Sequence, residues 1–306
     1  MRVLVVGGTG VAGSAAVPAL VAAGHDVTVT VRGPAKADQV RAWGATTLAV
    51  DVFDPVAVRG GVDGQEAVCN LSTHIPSLSR AGLPGAWREN DRLRRQVSAN
   101  LVGAALETDC RRFVQESIGF VYPDRGDRWI GEDTEPAPTS VTQSALDAEA
   151  KVARFGQAGR IGVVLRFAQF YGPGSVHSAQ TVQLAARFGI GPFPGDPDGF
   201  SSWIHRDDLG PAVVSALEAP AGIYNLGDDE PIRRGELHAL FAEELGRRRL
   251  REVGKWVSRL GGRKVEAITR SQRLSNAAFK AATGWAPRVG SAREGWPSVI
   301  AAQVRS

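Results

Sequence analysis

Tyrosine is scarce in this 306-residue chain: there are three, Tyr122, Tyr171 and Tyr224. Four residues beyond them stand Gly126, Ser175 and Asp228, so no Y-x-x-x-K exists. That excludes the tyrosine–lysine pair that commonly protonates a reduced substrate. Cysteine is limited to Cys69 and Cys110, both in apolar surroundings. Two buried thiols are expected there, and no structural disulfide. No Cys/His cluster has metal-ligand spacing, so no metal is expected. Lysine is confined to positions 36, 151, 255, 264 and 280, a bias that carries no chemistry. No apolar run reaches the length of a membrane span, and no basic-then-apolar leader precedes the first strand. The expectation is a cytoplasmic protein with no membrane partner.

What is present is an ordinary globular composition, with 43% hydrophobic and 22% charged residues. The length allows one large domain or two smaller ones. A net charge of +4 is too small and too scattered to suggest nucleic acid. The expected partner is a small-molecule substrate, and the chain is expected to be a monomer or homodimer.

The N-terminus carries the strongest pattern. Arg2 to Val6 reads as a buried strand, GGTGVAG places Gly7, Gly10 and Gly13 at G-x-x-G-x-x-G spacing, and Ser14 to Ala23 reads as a helix. Glycines let the backbone turn tightly and approach a pyrophosphate, and the helix N-terminus offers free N–H groups and a positive dipole end. A strand before the loop and a helix after it are the context that supports a dinucleotide site. Thr9, Val11 and Ala12 belong to the same turn.

Strand and helix signals then alternate, which argues for a parallel sheet covered on both faces. Strands are expected at Asp26–Val31, Thr46–Val50 and Ala67–Leu71, from Arg112, at Ile161–Phe167 and at Ile223–Leu226. Trp87–Glu107 reads as one long helix and Ala145–Phe155 as another. Residues 123–142 and 172–202 are rich in turn formers and read as long binding loops. The tail from Glu230 reads as helical and basic.

The second strand ends in Arg32, where an acid would bind ribose hydroxyls and repel a phosphate. A guanidinium matches phosphate geometry, so NADP(H) is favoured, with NAD(H) also possible. The alternative is a solvated surface arginine.

The chain resembles the extended and atypical short-chain dehydrogenase/reductase family, which includes NAD-dependent epimerases and dehydratases. Beyond GGTGVAG, the resemblance rests on Asp51-Val52, Asn70-Leu71-Ser72-Thr73, Leu165-Arg166-Phe167, Tyr171-Gly172-Pro173-Gly174, Ile204-His205-Arg206-Asp207-Asp208, Tyr224-Asn225-Leu226-Gly227, Arg273-Leu274-Ser275-Asn276 and Gly284-Trp285-Ala286-Pro287. It implies an α/β fold: a Rossmann-type doubly wound parallel sheet with a smaller, mainly helical C-terminal substrate lobe. The dinucleotide domain is expected over 1–170, with 211–228 returning to it, and the lobe over 171–210 and 229–306. The resemblance also implies cofactor contacts from Asp51 and Val52 at the adenine, from Leu71, Ser72 and Thr73 at the nicotinamide ribose, and from Phe167 and Phe170 nearby.

The departures from the family are chemical. In VTQSALDAE, Ser144, Ala148 and Glu149 keep the family register, which puts Val141 in the tyrosine slot and Ala145 in the lysine slot. The active-hydroxyl slot falls near Ile118, one residue after Ser117. Ser117 and Tyr122 remain as candidate catalytic hydroxyls, against the ordinary roles of satisfying backbone or packing a tethered ring. His74, Tyr122 and Trp203 are candidates for the substrate pocket. A lone histidine is more often structural, and the aromatics Trp129, Phe193, Phe200 and Trp203 can equally pack the lobe.

The expected activity is an NAD(P)H-dependent ketoreductase of a bulky, aromatic polyketide substrate, as in atypical reductases that tailor antibiotics. The alkoxide would be stabilised by a neighbouring substrate hydroxyl instead of a side-chain acid. A redox-sensing regulator without catalysis, and a sugar-nucleotide epimerase or dehydratase, are the alternatives.

Overall fold

The computed structural model describes residues 1–77, 80–252 and 263–304. Its first half runs β1 (Arg2–Val6), α1 (Val11–Ala22), β2 (Asp26–Thr30), α2 (Pro34–Ala42), β3 (Thr46–Leu48), α3 (Pro55–Val62), β4 (Ala67–Asn70), α4 (Arg88–Arg92), α5 (Ser98–Glu107) and β5 (Arg112–Ile118). Then come β6 (Trp129–Ile130), α6 (Gln143–Gln157), β7 (Ile161–Phe167), β8 (Gln169–Tyr171), α7 (Val176–Phe188), β9 (Phe200–Ser201) and β10 (Trp203–His205). The chain continues through α8 (Arg206–Ala216), β11 (Gly222–Leu226), β12 (Ile232–Arg233), α9 (Arg234–Glu244) and β13 (Arg273–Leu274). Further helices span Arg263–Thr269, Ala277–Thr283 and Ala292–Val304.

Seven strands form one parallel sheet in the order β3-β2-β1-β4-β5-β7-β11. Val3 to Val6 are all buried because helices cover both faces. One core layer joins Val17 and Leu20 of α1 to Leu209 and Val213 of α8. The other joins Val58 and Val62 of α3 to Leu101 of α5 and Phe155 of α6. A Cβ at Gly210 would lie 2.5 Å from the Ala15 carbonyl oxygen, so glycine lets α8 rest directly on α1. The strand order reverses between β1 and β4, and ligands of such sheets bind outside the strand C-termini at that point.

The sheet strands begin where the sequence places them, apart from Gly222 for the last, and several end a residue or more away. Three larger differences have physical causes. The stretch 172–202, expected as a loop, holds helix α7, which the Ser175 hydroxyl caps at its start and Gly189, at φ +63°, ends. The expected helix over Trp87–Glu107 is interrupted by a π-helical turn at Leu93–Val97. Such turns re-aim side chains, and this one carries buried Arg94 to Glu116, with N···O 3.1 Å. Six further strands, β6, β8, β9, β10, β12 and β13, are only two or three residues long and pair as three small ladders. A hydrophobic period cannot be read over so few residues. β11 joins the sheet beside β7, and α8, which packs on α1, begins at Arg206. Residues 253–262 and 305–306 of the expected lobe lie outside the described residues.

The second lobe is built on aromatic packing. Tyr171 stacks on Trp296 at 5.0 Å, and Phe193, Trp203 and Phe241 pack around the same indole. No helix among the described residues is long and apolar enough to cross a membrane.

Between β5, α6 and β7 lies a buried polar chain. Glu149 accepts from Arg166 Nε at 2.9 Å and Nη2 at 2.6 Å, and from Ser117 Oγ at 2.5 Å. Arg166 Nη1 donates to Tyr122 Oη at 2.8 Å, and Tyr122 donates to Asn225 Oδ1 at 2.8 Å. Burial opposes the Arg166 charge, but bonding and attraction to Glu149 outweigh it and raise its pKa. Removing one partner strands the other charge away from water. Arg166→Met is expected to cost about 3–5 kcal/mol of stability, measured by denaturant unfolding. Arg41→Ala, which breaks an exposed pair with Asp38, is expected to cost at most about 1 kcal/mol. Equal losses in the two variants would contradict this ranking.

Candidate active site

The turn between β1 and α1 sits on the segment after β4. Gly7 has φ +82°, and a Cβ there would stand 2.7 Å from the Leu71 carbonyl group and from Ser72 Cα. A Cβ at Gly13 would stand 2.3 Å from the Gly7 carbonyl oxygen. Both positions therefore require glycine for packing. Gly10 is different. It is exposed, it precedes the first turn of α1, and a Cβ there would meet only the Gly7 oxygen, at 3.3 Å. No side chain caps this helix, and its first turn has no acid. Its free N–H groups and positive dipole end are left for an external anion.

The other expected cofactor residues line the same edge of the sheet. Thr9 and Val11 are half-buried in the turn and Ala12 is buried. Arg32 is exposed just beyond β2 and has no ion pair among the described residues. Asp51 is exposed, and its carboxylate accepts from the Phe53 amide. The Val52 carbonyl accepts from Asn100. Leu71 is buried, its amide donating to the Val6 carbonyl. Ser72 Oγ donates to Asn70 Oδ1 at 2.6 Å, and Asn70 is held by Ser98 and Gln115. Thr73 is exposed beside them. This edge, with its uncapped helix end and close glycine backbone, fits the pyrophosphate and flanking groups of a dinucleotide.

A small, narrow cleft lies between the ends of β5 and β7 and the second lobe. Phe120, Phe167 and Phe200 give it an apolar wall, and Arg234, Arg270 and Gln272 a polar one. Phe170 is half-buried, edge-on to Phe167 at 5.2 Å. His74 is exposed on the loop after β4, its amide donating to Asn90 Oδ1.

Three expectations need correction. Ser117 is not a free hydroxyl: it is fully buried and donates to Glu149. Tyr122 is also fully buried, its hydroxyl shared between Arg166 and Asn225. Burial raises its pKa, although Arg166 opposes the shift. Neither hydroxyl faces the cleft, so neither is placed as a proton donor or, for Tyr122, as a substrate contact. Trp203 is 1% exposed inside the lobe's aromatic cluster, edge-on to Tyr171 and Phe193, and does not line the cleft. Of the aromatics weighed for a pocket wall, Phe200 lines this cleft and Phe193 packs the lobe. Trp129 lies under Arg273.

The tyrosine and lysine slots hold buried Val141 and Ala145, and the remaining hydroxyl slot holds half-buried Ile118. The residues missed in the sequence are the charged ones behind these slots. Glu116, paired with Arg94, is one, and burial raises its pKa despite that arginine. An isolated charge in a strand gives no periodic signal, so its partner shows only in three dimensions.

The NAD dependent epimerase/dehydratase family model matches residues 3–227. The chain belongs to this family. A Streptomyces protein named 3-diazoavenalumate denitrifying reductase is 31% identical over 308 residues, covering 96% of this chain and 99% of that protein. An NAD(P)H azoreductase of Xenophilus azovorans is 24% identical over 253 residues, covering 80% of this chain and 74% of that one. The Thermus thermophilus UDP-glucose 4-epimerase superimposes with a TM-score of 0.77 at 23% identity, covering 99% of each chain. That likeness supports the fold. The protein is an NAD(P)-dependent oxidoreductase of the epimerase/dehydratase family.

Gly10 tests the cofactor edge. Gly10→Val is expected to leave the melting temperature close to the parent's and abolish dinucleotide binding by titration. Its Cβ is tight against the Gly7 oxygen, at 3.3 Å, and asks for a shift of a few tenths of an ångström, while the side chain occupies the approach to the α1 amides. Normal affinity in that variant would refute this reading of the turn.

Proposed function

We propose that this oxidoreductase reduces a flat aromatic substrate by hydride transfer in which no side chain donates a proton. The carrying observation is the replacement of the donor slots by buried Val141 and Ala145, with Ser117 and Tyr122 both engaged elsewhere. A bound reduced nicotinamide supplies the hydride. The protein's share is to hold the dinucleotide at the glycine turn, to seat the ring against Phe120, Phe167 and Phe200, and to limit water.

The acceptor follows from charge balance. A ketone that takes a hydride becomes an alkoxide and then needs a proton. An aryl diazonium cation that takes a hydride at its terminal nitrogen becomes a neutral aryl diazene. Loss of N₂ then leaves the arene, with the N–H hydrogen passing to the ring carbon. The hydride step itself consumes no proton. The reductase names of the Streptomyces and Xenophilus relatives, which refer to diazo and azo groups, support a nitrogen–nitrogen acceptor. An aromatic ketone with an adjacent hydroxyl, as in polyketide antibiotics, is the second reading. Its own hydroxyl supplies the stabilisation that the chain withholds.

NADPH is the proposed cofactor, because Arg32 stands past β2 with no ion pair among the described residues. Arg32→Ala is expected to weaken NADPH and leave NADH nearly unchanged, measured by fluorescence titration; equal affinity for both in the parent would remove the assignment.

Turnover tests the chemistry. With 4-hydroxybenzenediazonium and NADPH, the protein is expected to release one N₂ per NADPH oxidised, well above a heat-inactivated control. Ser117→Ala and Tyr122→Phe are expected to keep most turnover once matched for folded fraction. A true general acid would be missed by roughly 10²–10⁴-fold, and a loss of that size in either variant would show that the protein has an acid after all. Oxidation of NADPH with hydroxyketones but not with the diazonium would favour the second reading.

A further inference from the structure

Arg234 is the one cleft residue whose charge the fold leaves unanswered among the described residues. It is 3% exposed and lines the cleft at the start of α9. Its Nη2 donates to the carbonyls of Ile268 and Arg270. Its Nη1 is buried with no hydrogen-bond acceptor. No carboxylate pairs with it, and Asp124 and Asp196 attract it only from a distance. Burial therefore lowers its pKa to about 10, which still leaves it charged at neutral pH.

The surroundings make this placement costly. The positive end of a helix disfavours cations, yet α9 opens with Arg234 directly after Arg233. Arg233 is neutralised by a two-pronged contact with Asp127, at 3.0 and 3.3 Å. Arg234 has no counterpart. The remaining polar groups around it are satisfied: Arg270 bonds Glu266 and two carbonyls, Gln272 Nε2 bonds Tyr122 O, and Ser202 Oγ bonds the Gln272 carbonyl. Gly199 also leaves Arg234 its space, since a Cβ there would stand 2.5 Å from Nη1. A buried cation with no paired anion is disfavoured, and an anionic ligand relieves that.

We propose that Arg234 is a specificity-determining residue that recognises a carboxylate on the aromatic substrate. This rests on the cleft being the substrate site. The aromatic ring meets the phenylalanine wall, and the carboxylate meets the guanidinium across the cleft. Charge-assisted bonding of this kind distinguishes an acid from its neutral amide by shape-matched charge alone.

The competing role is a brace, in which Arg234 only ties the 268–270 segment to α9. Binding separates the two without turnover. NADP⁺-saturated protein is titrated calorimetrically with 2-naphthoate and with 2-naphthamide, which have nearly the same shape. The parent is expected to prefer the acid by on the order of 10- to 100-fold. Arg234→Met is expected to lose that preference and keep its affinity for the amide, while Arg234→Lys keeps part of the preference. Equal affinity for acid and amide in the parent rejects the role of Arg234 and leaves the aromatic cleft standing. A parallel loss of both ligands in Arg234→Met, with a lowered melting temperature, shows a brace and also rejects it. If the acid does not bind the parent, the cleft itself is rejected, and the proposal with it.

Discussion

Glu149 and Arg166 are opposite charges held almost completely away from water, and the reactive edge of the sheet is arranged around them. Their two-pronged contact is the kind of geometry that offsets desolvation. Its free valences draw in Ser117 on one side and Tyr122 on the other. Through Tyr122 and Asn225 the chain reaches β11, so β5, α6, β7 and β11 share one polar core. Hydroxyls committed to that core are not available to a substrate.

This constraint shapes the chemistry. The family's proton-donor slots lie on the first turns of α6 and just before it, and here they are packed with Val141 and Ala145. What remains at the sheet edge is a helix end without a side-chain cap, glycines in close backbone contact, and an aromatic wall beside Arg234, which has no carboxylate partner among the described residues. Such a site positions and selects. It suits an acceptor that brings its own electrophilicity, and a diazonium does so more fully than a ketone.

Much of this was legible in the sequence, for identifiable reasons. The β1 turn and the parallel strands declare themselves because doubly covered strands read as continuous apolar runs and the glycine spacing is local. The absence of a tyrosine–lysine pair needs only counting. The misplacement of Ser117, Tyr122 and Trp203 has one common cause. Each lies close in sequence to a candidate segment, but the direction of its side chain is set by partners far along the chain, Glu149, Asn225 and Trp296. Arg234 escaped notice for the converse reason. A basic residue in a basic tail looks solvated until α9 and the 268–270 segment enclose it.

The lobe and the sheet thus divide the labour. In the proposed reading the sheet edge seats the dinucleotide, and selectivity is left to the few cleft residues that differ from a neutral wall. In the proposed reaction, hydride transfer needs no proton from the protein. Isotope effects on a single turnover test it most directly, using the diazonium substrate with NADPH deuterated at the transferred hydrogen, in H₂O and in D₂O. Slowing by the deuterated cofactor with no slowing in D₂O is the expected result. Slowing in D₂O that multiplies with the cofactor effect would place a proton in the same transition state and contradict it.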